Sequence, residues 1–251
     1  MITPFGKSHH LYTSSFSIHF LSESAITIVF GQGIDEITFD SVHQFNAQLN
    51  RLPFEGFIST VPAYASLTVF YDPLVVMHAQ ELQGLNGFER VCNYLIELQQ
   101  KSPLIKKKKR EQVHLPVCYD EALAPDLAYV ASYHNISPEE LINLHSGAIY
   151  QVYMIGFVPG FAYLGGMPSI LETPRKEIPR KQVPAGSIGI AGKQTGIYPL
   201  QISGGWQIIG CTPLQLFNIE RPSPSLLEAG DEVLFEIIDL QEFKFLSGSN
   251  S

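Results

Sequence analysis

Cysteine is scarce in this chain. Cys92, Cys118 and Cys211 are the only three, an odd count without CxxC spacing. They encode no disulfide framework, and a reducing compartment is the expectation. Long apolar runs are also missing: no window approaches 18 consecutive apolar residues, so no membrane-spanning helix is expected. Met1 to Ser24 lacks a charged segment followed by an apolar run and a small-residue cleavage site. These absences point to a cytoplasmic protein. Charged residues make up 16% of the chain and sum to −8, while 45% of residues are hydrophobic. That balance is globular, and it lacks the wide basic footprint of a duplex-binding surface. The 251 residues suffice for one large domain or two small ones.

Familiar catalytic signatures are missing as well. A phosphate loop ending at Lys193 needs Gly at 187 and Ser or Thr at 194, where the chain has Ser187 and Gln194. Ala185-Gly186-Ser187-Ile188-Gly189 looks like a nucleophile elbow whose first Gly is replaced. An elbow needs a strand-to-helix turn, and the flanking residues here read strand-to-strand. No His or Cys pair has zinc spacing, no EF-hand loop is present, and no G-x-G-x-x-G opens a helix. No metal site is expected.

Glycine and proline, in contrast, are concentrated. Between Gly156 and Pro213 fall eleven of the 20 glycines and seven of the 17 prolines, too dense for a helix. Short β-branched runs between them, such as Ile188 to Ala191 and Trp206 to Ile209, read as brief strands joined by tight turns. The same stretch holds five cations, Arg175, Lys176, Arg180, Lys181 and Lys193, against Glu172 and Glu177. A net +3 island in an acidic chain suggests a site for a small anion, a carboxylate or phosphate. Lys176 and Lys181 read as solvated. Phe157, Phe161, Tyr163 and Trp206 lie among these glycines, where rings serve either as barrel core or as a subunit interface.

Met1 to Ser15 reads as a loose leader, followed by a strand over Ala25 to Phe30. Asp40 is expected to cap a helix with Val42, Phe45, Leu49 and Leu52 on one face. Strands over Gly56 to Thr60 and Ser66 to Tyr71 follow, then a helix starting at Asn86 or Gly87 with Phe88, Val91, Leu95 and Leu98 inward. This is an α+β unit of the split-βαβ type. The run Lys106 to Arg110 reads as a solvated linker at a domain boundary. Beyond it, Pro125 to Tyr133 is a short helix, and Ser137-Pro138-Glu139-Glu140 opens another with a capping box that ends at His145-Ser146-Gly147. The remainder is strand and turn, with a last strand over Val233 to Ile238 and a disordered tail from Leu246.

Ordered motifs then carry a resemblance. They are Val61-Pro-Ala-Tyr-Ala-Ser66, Leu144-His145-Ser146, Gly156-Phe-Val-Pro-Gly-Phe-Ala-Tyr-Leu-Gly-Gly166, Pro174-Arg175 and Pro179-Arg180. Val183-Pro-Ala-Gly-Ser187, Ala191-Gly192, Gln194-Thr-Gly-Ile-Tyr-Pro199 and Gly204-Gly-Trp206 continue the series. Together they resemble the KipI family, that of the B-type subunit of bacterial 5-oxoprolinase, also called allophanate hydrolase subunit 1. The likeness runs from about residue 16 to about residue 240. It implies an α+β N-terminal domain over 16–100 followed by a mainly β, cyclophilin-like barrel of carboxyltransferase type over 112–245.

The resemblance also implies a function. Members work with a KipA-like subunit and a LamB/YcsF-like subunit, and the assembly hydrolyses 5-oxoproline to glutamate with ATP. The alternatives are a carboxyltransferase-type subunit of a urea carboxylase or allophanate system, and a non-enzymatic histidine-kinase inhibitor. Under the first reading Arg175 and Arg180 are anion clamps, and backbone N–H groups near Gly165-Gly166 and Gly186-Ser187 form a cradle beside Gln194 and Thr195. His145 and Tyr198 are the candidates for proton handling. The chain departs from the family pattern at Cys211, where Arg is usual, and at Ser203, where Pro is usual.

Overall fold

A computed structural model describes residues 10–13, 15–33, 36–101 and 112–248. The basic run Lys106 to Arg110 and most of the expected leader lie outside the described residues. The chain divides into two compact units, Met1–Lys108 and Lys109–Ser251.

The first unit has strands β1 (His10–Tyr12), β2 (Ser17–Ser22), β3 (Ala25–Val29), β4 (Phe57–Pro62) and β5 (Ser66–Tyr71) in one antiparallel sheet of order β1-β2-β3-β5-β4. Its helices are α1 (Glu36–Arg51), α2 (Pro73–His78) and α3 (Gly87–Gln100). The β5 strand alternates between half-buried and buried residues, and its buried set, Leu67, Val69 and Tyr71, meets Val42, Phe45 and Leu49 of α1 and Val91, Leu95 and Leu98 of α3 in one core. Asn86 caps α3 by accepting from the Glu89 amide at 2.9 Å.

Two expectations are corrected here. The helix expected to start at Asp40 begins a turn earlier, so Asp40 lies inside it, and Leu52 falls beyond its end, 47% exposed. Pattern reading also passes over β2 and α2. The latter is announced by Asp72-Pro73, with the Asp72 carboxylate accepting from the Leu74 and Val75 amides.

The second unit is a closed barrel of order β10-β11-β8-β7-β14-β6-β13. Its strands are β6 (Gln112–Cys118), β7 (Ile149–Ile155), β8 (Ala162–Gly165), β10 (Ser187–Ala191), β11 (Gln194–Ile197), β13 (Gln207–Cys211) and β14 (Glu232–Ile238). The short strands β9 (Arg180–Val183) and β12 (Ile202–Gly204) pair beside it. The strands β6 and β14 run parallel over seven residue pairs, while the other pairings are antiparallel. Leu115, Val117, Tyr150, Val152, Leu164, Ile188, Ile190 and Ile197 fill the interior.

Helices α4 (Leu127–Tyr133) and α5 (Pro138–Ser146) precede β7. The start of α5 is the expected cap, with Ser137 Oγ accepting from the Glu140 amide at 3.0 Å. The tail read as disordered from Leu246 is instead helical as far as Gly248, the end of α6 (Leu240–Gly248). Among the described residues no helix is long and apolar enough to cross a membrane.

Candidate functional site

Strand alternation puts Ile188 and Ile190 of β10 inside the barrel and Gly189 on its outer face. Gly196 of β11 lies directly opposite Gly189 in the antiparallel pair. A Cβ at Gly189 would stand 2.9 Å from the Trp206 Cβ, and one at Gly196 would stand 2.9 Å from the indole Cζ3. Both positions therefore need glycine, because the indole rests on bare backbone. Phe161 and Tyr163 flank Trp206 at ring distances of 5.6 and 5.8 Å, and Tyr198 meets Phe161 edge-on at 5.0 Å. With Val183, Ala191 and Ile208 these rings form a cluster separate from the barrel core. Phe157 stands beside it, 61% exposed, at φ 69°. A bulky residue in that region carries strain, of the kind that gathers at ligand and partner surfaces.

The cations of this face are not equivalent. Arg175 is exposed and its Cζ stands 5.9 Å above the Trp206 ring. Among the described residues it has no carboxylate within ion-pair range. Arg180 donates from Nη2 to Asp126 Oδ1 at 2.6 Å, and Lys176 Nζ reaches the same oxygen at 3.2 Å. The other oxygen, Oδ2, accepts the Ile208 amide at 2.7 Å, and the Asp126 amide donates to the Ile208 carbonyl at 2.9 Å. Burial alone would raise the Asp126 pKa, but the Arg180, Ile208 and Lys176 hydrogen bonds together hold it below the usual carboxylate value. Lys176, solvated by the sequence reading, is thus a partner of a buried carboxylate. Arg180 pairs with Asp126 and not with a nearby glutamate.

Sequence reasoning misses Asp126. It sits at the N-cap of α4, yet its side chain makes no capping hydrogen bond because it is turned toward Arg180. An acid at a helix start looks like a cap, and nothing local reveals a partner fifty-four residues on.

The Gly186-Ser187 half of the expected cradle is used up inside the fold. The Gly186 amide donates to the Tyr198 carbonyl at 2.7 Å, and the Ser187 amide to the Pro184 carbonyl at 3.3 Å. Gly186 is required by its φ of +81° and by the Thr212 carbonyl that a Cβ would strike. Gly165 is required because the Tyr153 ring lies against it, and Gly166 adopts φ +92° over the Ile149 carbonyl. The segment around Ser187 runs strand-to-strand, from β9 into β10, so no nucleophile elbow is present there.

Two other candidates turn inward. His145 and Thr195 are both 0% exposed. Thr195 Oγ1 donates to the Gly189 carbonyl at 3.0 Å, so its oxygen accepts from His145 Nε2, also at 3.0 Å. That assignment leaves Nδ1 to accept from the Tyr119 hydroxyl at 2.9 Å. The ring stacks on Phe235 at 4.9 Å, and burial pushes its pKa down to about 3. His145 is therefore a neutral core residue whose two nitrogens are both occupied. Tyr198 is 1% exposed, and burial raises its pKa against the opposing pull of a Trp206 backbone hydrogen bond, Arg175 and Arg180. Gln194 is half-buried, with its Nε2 enclosed and unpartnered among the described residues. What the structure gathers on one face is Arg175, Trp206, Tyr163, Phe161 and Tyr198, braced by Asp126, Arg180 and Lys176.

The same arrangement of strands and motifs occurs in known proteins. The model of the carboxyltransferase domain, subdomain C and D, matches residues 16–227. The chain is 44% identical over 232 residues to the B-type subunit of 5-oxoprolinase from Bacillus subtilis (strain 168), covering 92% of this chain and 96% of that protein. The crystal structure of TTHA0988 is 33% identical with a TM-score of 0.71 over 86% of this chain, which spans only 40% of that longer chain. Urea carboxylase of Kluyveromyces lactis, 16% identical, shares the fold with a TM-score of 0.73 over 94% of this chain and 23% of its own. The chain belongs to the carboxyltransferase domain, subdomain C and D, family, and within it to the B-type subunits of 5-oxoprolinase.

Proposed function

We propose that this chain is the B-type subunit of an ATP-dependent 5-oxoprolinase, acting in the cytoplasm with a KipA-like and a LamB/YcsF-like subunit and inactive alone. The observation that carries the reading is the likeness to a 5-oxoprolinase subunit of that type over 96% of the relative's length. The α+β domain over 16–100 and the cyclophilin-like barrel over 112–245 are part of the same reading.

A lactam resists hydrolysis because its carbonyl is an amide, and ATP supplies the means of turning the amide oxygen into a leaving group. The Gly186 and Ser187 amides do not fit a phosphate cradle, since both are bonded within the fold. No step is therefore assigned to ATP on this chain. Its own contribution is to bind and orient an anionic substrate at the basic, aromatic face that carries Arg175 and Arg180, with the partner subunits completing the site.

Glutamate formation from 5-oxoproline and ATP, measured with each combination of the three subunits, tests the proposal. Turnover by the full set and none without this chain is expected. No ATP-dependent glutamate from any combination defeats it. A second reading, a carboxyltransferase-type subunit acting with biotin on urea or a related amide, draws on the shared fold with urea carboxylase. Carboxylation of such an amide by the assembled complex would favour it.

A further inference from the structure

We propose that Arg175 is the carboxylate subsite of this face and that Arg180 is a structural brace held by Asp126, so the two arginines do not form one clamp. The carboxylate assignment stands on geometry. Naming the ligand as a small ring-amide acid rests on the 5-oxoprolinase reading.

Charge balance separates the two arginines. Two of the three cations between residues 175 and 180 converge on the single buried carboxylate of Asp126. Arg180 is thereby committed through Nη2, and Lys176 is held a few ångströms away on the same oxygen. Arg175 is left without an acidic partner among the described residues, yet it is not loose. Its guanidinium carbon stands over the Trp206 ring, 5.9 Å from the centroid. A cation over a ring makes no hydrogen bond to a carboxylate there, and its N–H donors remain for the fork that a carboxylate takes bidentately.

The support beneath it is rigid. Trp206 lies on the opposed glycines Gly189 and Gly196, which leave it no room to sink. The backbone is tied down on both sides of Arg175: the Lys176 amide donates to the Gly205 carbonyl at 2.8 Å, and Gln207 Nε2 donates to the Pro174 carbonyl at 3.0 Å. A donor fixed in this way loses little freedom when it meets an anion. A single guanidinium suits a monoanionic carboxylate better than a phosphate dianion. Half-buried Tyr163 and exposed Phe157 offer ring surface nearby for the apolar part of such a ligand.

The test uses the assembled complex first. Arg175→Gln is expected to raise KM for 5-oxoproline about ten-fold or more with a smaller change in kcat, and Arg175→Lys to recover part of the loss. Arg180→Lys is expected to move KM less than Arg175→Gln does. A KM within about two-fold of wild type for Arg175→Gln in a turning-over complex overturns the inference. If no subunit combination turns over 5-oxoproline, the 5-oxoprolinase reading fails, and the carboxylate assignment is decided on this chain alone. Trp206 is the single tryptophan, so its emission reports the site directly. A saturable change on titrating acetate or 5-oxoproline, absent with 2-pyrrolidinone and lost in Arg175→Gln, supports the assignment. No change in the wild-type chain, or the same change in Arg175→Gln, overturns it.

Discussion

Asp126 accepts from Arg180 Nη2 through one oxygen at 2.6 Å and from the Ile208 amide through the other at 2.7 Å. One carboxylate thereby fastens the start of β9 to the backbone of β13. Asp126→Ala leaves a half-buried guanidinium and a buried amide without their acceptor, and is expected to cost about 2 kcal/mol. Urea denaturation measures it; a loss under about 0.5 kcal/mol would show the brace to be incidental. The Asp126 pKa is lowered, so its contribution is full above the unfolded carboxylate value near 4 and fades as pH falls through the lower folded value.

His145 sets a different pH window. Its folded pKa of about 3 lies below the ordinary value near 6.5, so the unfolded chain takes up the proton first. Stability is expected to fall as pH drops from about 6.5 toward 3, by up to about 1.4 kcal/mol per unit. The upper half of that range lies above the window of Asp126. Denaturation midpoints at pH 4.5 and 6.5 for wild type and His145→Gln separate the two. A slope unchanged by the substitution would remove His145 as its source.

The glycine bed predicts its own disruption. Gly196→Ala places a methyl 2.9 Å from the Trp206 Cζ3 and 3.0 Å from the Ala162 carbonyl. Overpacking of this kind costs about 1–3 kcal/mol. Because the indole must lift, tryptophan emission is expected to shift to the red in the folded variant. An unshifted spectrum together with unchanged stability would mean that the sheet yields instead.

Phe157 offers the opposite experiment. Its φ of 69° is strained for a side chain and free for glycine. Phe157→Gly removes one edge contact with Phe161 at 5.7 Å but releases the backbone. The thermal midpoint is expected to stay level or rise, while activity of the assembled complex falls. A loss of more than about 1 kcal/mol would show that the ring contributes more to the fold than its backbone costs.

Local chemistry is legible in the sequence where a few neighbouring residues settle the outcome. Ser137 to Glu140 carries a cap, a proline and acids within one turn, and α5 starts there. Glycine and proline density likewise marks the turns among the barrel strands. The site is harder to read because its contacts join distant positions. Asp126 meets residues fifty-four and eighty-two positions later, and His145 meets Thr195 fifty later. No periodicity encodes such pairs. The arginines are visible as charge, but which of them is neutralised depends on an acid that looks like an ordinary helix cap. The α1 start is misplaced for a related reason: Asp40 has capping chemistry, while packing of Phe39 and Val42 carries the helix past it.

The parallel pairing of β6 with β14 sets an order of assembly. During synthesis β6 emerges first in its barrel, but its seven-pair neighbour, Glu232–Ile238, appears more than a hundred residues later. Until then β6 lacks that neighbour and β7 lacks the flank that β14 covers. The ring closes only when the last strand slots between the first two, so the final step joins the most distant segments and is slow by its loop entropy. A nascent chain stopped short of Glu232 would display two unpaired edges, the form in which sheet proteins associate wrongly.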